Sequence, residues 1–88
     1  CDLISIRKEI VSEARRLVGA GTGVRGDLMI LSATHCHAGP QMHPLFLSQV
    51  SGAARKLGEN YVAELPGKIA EAVRRARKLA RKRMSREE

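Results

Sequence analysis

The stretch Leu28-Met29-Ile30-Leu31-Ser32-Ala33 constrains the fold most, because it is apolar without alternation and runs directly into Thr34-His35-Cys36-His37. A run of that kind fits a strand covered on both faces, as in a parallel sheet. Upstream, Leu3 to Ser5 reads as the end of an earlier strand. Between the two, Ile6, Ile10, Ala14, Leu17 and Val18 recur at helical spacing, with Arg7, Lys8, Glu9, Glu13, Arg15 and Arg16 on the other face. Ser5 is placed to cap this helix, and the glycines between Gly19 and Gly23 are suited to end it. Strand, helix and strand in about thirty residues predict a βαβ unit with a right-handed crossover. The expected class is therefore α/β: parallel strands in a βαβ unit, followed by C-terminal helices.

The second half reads as helical. Residues His43 to Gln49 suit a loop passing into a helix that Gly58 ends. From Leu65 the apolar set Leu65, Ile69, Val73, Ala76 and Ala80 returns at helical spacing, with Pro66 suited to the first turn. Beyond Leu79 the apolar side fades into Arg81-Lys82-Arg83, so residues 75–88 are expected to fray.

The net charge of +7 follows this division. Residues 1–53 hold five Lys/Arg against four Asp/Glu, whereas residues 54–88 hold eleven against five. The basic character thus belongs to one segment. Eighty-eight residues make at most one small domain. The opening Cys1-Asp2-Leu3-Ile4 resembles a strand cut partway, so residues 1–88 are expected to be part of a larger α/β domain. No stretch has the apolar length of a membrane span, and no signal-peptide pattern is present. Cys1 and Cys36 lack C-x-x-C spacing and leave the redox compartment open.

The chemistry lies in Ser32-Ala33-Thr34-His35-Cys36-His37-Ala38-Gly39-Pro40. Ligands of open α/β sheets bind outside the carboxyl ends of strands, which is where this segment is expected. On an extended backbone, residues two apart project to one side, so His35 and His37 would share a cavity while Cys36 turns into packing. Neutral imidazole is a common zinc ligand. Gly39 lets a ligand approach the backbone, and Pro40 stiffens the exit. An H-x-H pair at a strand end is equally compatible with two hydrogen-bonded histidines, and His43, beside Pro44, reads as a loop residue.

The same nine residues resemble the signature of the neutral/alkaline (non-lysosomal) ceramidases, S-x-T-H-T-H-S-G-P-G-G. The flanks are similar too: Asp2-Leu3 before a helix, then Tyr61-Val62-Ala63-Glu64-Leu65 leading into Ile69-Ala70-Glu71-Ala72-Val73. The resemblance implies a zinc-dependent amidohydrolase that cleaves the N-acyl amide bond of ceramide or a related lipid amide. It maps a zinc ligand onto His35, a catalytic histidine onto His37, and substrate contacts onto Gly39 and Pro40. It also implies further ligands beyond residue 88, contact with a membrane surface, an extracellular or periplasmic setting, and no nucleic-acid partner. Tyr61 lies too near the motif to be the family's ligand tyrosine. Cys36, Ala38 and the Gln41-Met42 pair depart from the signature, and the last pair puts side chains where the family keeps glycines. Those departures bear on the substrate more than on the fold.

Two other functions fit parts of the chain. Arg74-Arg75, Arg77-Lys78 and Arg81-Lys82-Arg83 form a basic stripe that could neutralise phosphates, but Phe46 and Tyr61 are the only aromatics on which bases could stack. A ceramidase-like domain that binds without catalysis is the second, and the presence or absence of the remaining ligands discriminates it.

Overall fold

A computed structural model of the chain describes residues 1–39 and 43–87. It contains helix α1 (Lys8–Gly21), a 3-10 turn (Gly26–Leu28), a short helix α2 (Pro44–Leu47) and a long helix α3 (Gly52–Glu87). The α/β expectation is overturned: the described residues form helices and irregular segments, with no strand and no sheet.

The first helix forms where its apolar spacing places it. Ile10, Ala14 and Val18 are buried along one stripe, and Arg16 pairs with Glu13 on the exposed side at 2.5 Å. Its start differs from expectation, because Arg7 occupies the cap position and makes no side-chain cap bond. At the other end Thr22 closes the helix, with both its N–H and its Oγ1 donating to the Val18 carbonyl (3.1 and 2.8 Å).

Residues 28–33 fail as a strand for a physical reason. A strand of a parallel sheet needs covering on both faces, yet Leu28 is 71% exposed and Ile30 89% exposed. The segment leans on the N-terminus through three backbone hydrogen bonds: Cys1 N–H to Ser32 O, Thr34 N–H to Cys1 O, and Cys36 N–H to Leu3 O. These do not extend into a ladder. The Leu3 N–H turns back to the Cys1 carbonyl, and His35 adopts φ 61°, which takes the backbone out of the extended region.

Helix α3 runs through two residues expected to interrupt it. Gly58 does not end it, and Pro66 sits in its interior instead of its first turn. Pro66 has no N–H for the preceding turn, a local cost that packing offsets here, since Leu65 and Pro66 are both buried. Leu3, Ile10 and Leu65 form the core, with Ile6, Ala33, Tyr61, Val62 and Ile69 around them. Ile10 shares that core with Leu65, while Thr22 meets Arg77, a separation of twelve residues on each helix. The two helices therefore lie side by side and point the same way. No helix among the described residues is long and apolar enough to cross a membrane.

Candidate functional site

The loop after residue 33 is built on the N-terminal segment. Thr34 Oγ1 donates to the Asp2 carboxylate at 3.1 Å, and the Gly39 N–H closes a turn onto the Cys36 carbonyl at 3.4 Å. Gly39 is pressed against backbone: a Cβ there would lie 2.5 Å from the Asp2 carbonyl oxygen and 3.3 Å from Leu3 Cα. The bare side of this glycine thus faces the chain's own backbone. It allows the loop to fold back over residues 2–3.

The structure brings His35 and His37 together, although not by the expected route. The backbone at His35 is left-handed and that at His37 is a turn, so strand alternation plays no part. The rings nonetheless meet edge to face, with centroids 4.8 Å apart and planes at 88°. Both side chains are exposed, while Cys36 between them is half-buried and carries a free thiol.

His35 Nδ1 lies 2.9 Å from the Ile4 carbonyl oxygen. A carbonyl only accepts, so this hydrogen bond requires the proton on Nδ1 and leaves the Nε2 lone pair outward. Histidines that bind metals ordinarily donate their other ring N–H to a carbonyl or carboxylate in this way, which sets tautomer and ring orientation. The Ile4 carbonyl is the component that sequence reasoning missed, since a backbone oxygen's direction leaves no mark in residue type.

His35 offers an oriented Nε2 and His37 a second imidazole beside it, but no group of three His, Cys, Asp or Glu that could hold a metal occurs among the described residues. Pro40, expected to touch substrate, and Gln41 and Met42 lie outside the described residues. His43 directly precedes α2, and Tyr61 lies in α3, half-buried with the Lys68 ammonium 5.8 Å from its ring centroid.

A second cluster lies near the far end of α1. Gly21 and Thr22 face Arg74, Arg77, Lys78, Arg81, Lys82 and Ser85 across a cleft of about 580 Å³, with no carboxylate in its lining. The Arg77 guanidinium donates to the Thr22 carbonyl. Arg74 and Arg75 both donate to Glu71, whose carboxyl is held well below its usual range, at about 2, by the hydrogen bonds from Arg74 and then Arg75. No protein-family model matches the chain, and comparison with curated proteins and with solved structures finds no similar protein.

Proposed function

We propose that residues 1–88 are part of a zinc-dependent amidohydrolase acting on the N-acyl amide bond of ceramide or a related lipid amide. The observation that carries the reading is the His35–His37 pair, with the Ile4 carbonyl holding His35 in the tautomer that leaves Nε2 as a lone-pair donor. The ceramidase-like signature around the pair supplies the reaction class, and its departures at Cys36, Ala38 and Gln41-Met42 widen the substrate class beyond ceramide itself.

In this reading His35 is a metal ligand, with the other ligands contributed from outside residues 1–88. Bound zinc supplies Lewis-acid polarisation of the amide carbonyl and a water made acidic enough to ionise near neutral pH. In the same reading His37 would either donate a hydrogen bond to the oxygen that gains charge, or take the proton given up by the attacking water and return it to the amine nitrogen as the C–N bond breaks. The turn at Gly39 is folded onto Asp2 and Leu3, and both imidazoles beside it are exposed, which supports their availability to a substrate.

The test uses the open reading frame that contains these residues, measuring zinc by elemental analysis alongside N-acyl amide hydrolysis. His35→Ala is expected to lose zinc and turnover together. His37→Ala is expected to keep most of its zinc and lose rate, because its role lies in the transition state. Full metal and full activity in the His35 variant overturn the reading. A protein that binds zinc through His35 but hydrolyses no amide would instead be the non-catalytic binding domain.

A further inference from the structure

The basic half of α3 is not used by the amidase reading, and it is organised. Arg74, Arg77, Lys78, Arg81, Lys82 and Ser85 line one cleft, at spacings of three and four residues that place them on one helix face. Two of these cations already have work: Arg74 is held by Glu71, and Arg77 caps the end of α1. Lys78, Arg81 and Lys82 have no acidic partner among the described residues. Three adjacent cations with no acidic partner among the described residues concentrate positive potential on this face.

The apolar neighbours choose the partner. Leu79 is 63% exposed and Met84 65% exposed, on the same stretch of helix. At 3.6 residues per turn they fall on the two edges of the basic face, Leu79 beside Arg75 and Lys82, Met84 beside Arg77 and Arg81. A nucleic-acid backbone offers these two side chains nothing, and the single Tyr and single Phe leave little to stack on bases. The interface of a bilayer offers both components at once: anionic headgroups for the cations, and the acyl boundary for Leu79 and Met84. The lysine and arginine stems can lie along that boundary with their charges outward.

We infer that α3, from Arg74 to Ser85, is a docking face for an anionic lipid surface, with Lys78, Arg81 and Lys82 as its free cations and Leu79 and Met84 as its apolar contacts. The docking face lies apart from the histidine pair. His35 is bonded at Ile4, before the start of α1, whereas the docking face meets the other end of that helix, about 20 Å away at 1.5 Å per residue.

Flotation of the protein encoded by the open reading frame that contains these residues, with phosphatidylcholine vesicles with and without phosphatidylserine, tests it without reference to any hydrolysis and leaves self-associated protein at the bottom of the gradient. Binding is expected only to the vesicles with phosphatidylserine, and to weaken as salt rises. Lys78→Gln/Arg81→Gln/Lys82→Gln is expected to reduce it about a hundredfold. The control Lys8→Gln/Arg25→Gln/Lys56→Gln removes the same charge from elsewhere and is expected to change it by less than about threefold. Leu79→Ser/Met84→Ser, which keeps every charge, is expected to weaken binding about tenfold. Equal losses in the two charge variants would show mere bulk attraction and overturn the docking face. Tighter binding to duplex DNA than to the vesicles at matched salt would overturn the choice of partner.

Discussion

Glu71 shows how a single exposed carboxylate can organise its surroundings. It accepts two hydrogen bonds from Arg74, at 2.8 and 2.5 Å, and one from Arg75 at 2.9 Å. Exposed ion pairs contribute little to stability in general, but a fork-shaped pair with a second arginine is the favourable case. Because the folded carboxyl titrates at about 2 and not at its usual 4.5, the contribution is present above the unfolded value and is lost as pH falls towards 2. The melting temperature of the chain is therefore expected to exceed that of Glu71→Gln at neutral pH, with the gap closing between pH 4.5 and about 2. Thermal scans of both proteins across that range check it, and a gap unchanged at the acid end defeats it. The histidine pair illustrates what is legible at this scale. That His35 and His37 share a locality follows from their spacing. That they do so through φ 61° at His35 and a bond to Ile4 does not, because left-handed backbone is rare outside glycine and nothing in the residue types announces it.

At the scale of elements, α1 was readable and α3 only in part. The Ile10, Ala14 and Val18 stripe is a helix on its own terms and is buried, while Leu17 is half-buried and Ile6 lies just before the helix. In α3, Gly58 and Pro66 are local signals against a helix interior, and each by itself marks a boundary. Tertiary packing outweighs them: Tyr61, Val62, Leu65 and Ile69 bury a continuous face against Leu3 and Ile10, and that face spans the proline. The run from Leu28 to Ala33 misleads for the opposite reason, since its pattern presumes neighbours on both faces, and Leu28 and Ile30 have none in these residues. Gly67 gives the element-scale test. It lies inside α3, next to Pro66, and a Cβ there would meet nothing within 4 Å. Gly67→Ala is expected to stabilise the chain by about 0.5–1 kcal/mol, the usual difference between the two residues in a helix interior. Urea unfolding measures it, and a destabilised variant would show that the space beside Gly67 is occupied.

As a whole, the molecule is long and thinly packed. Its extents are 55 × 24 × 21 Å, and among the described residues the buried core side chains are Leu3, Ile10, Ala14, Val18, Leu47 and Leu65, with Pro66 beside them. Leu28, Ile30, Leu57, Leu79 and Met84 remain large and exposed. A core of this size contributes little against the conformational entropy of a chain of 88 residues. The isolated chain is expected to melt over a broad range and to associate as its concentration rises. Calorimetry combined with sedimentation checks this, and a sharp two-state melt of a monomer would contradict it.

The bond from Arg77 to the Thr22 carbonyl has a consequence for the order in which the helices form. Helix α1 carries no basic residue in its last turn, so the cation at its carboxyl end comes from a residue 55 positions away. A contact that closes so long a loop arrives late in folding. The turns of α1, the last one closed locally by Thr22 on Val18, can form from nearby residues alone, whereas the positive charge at its carboxyl end arrives only when α3 docks alongside.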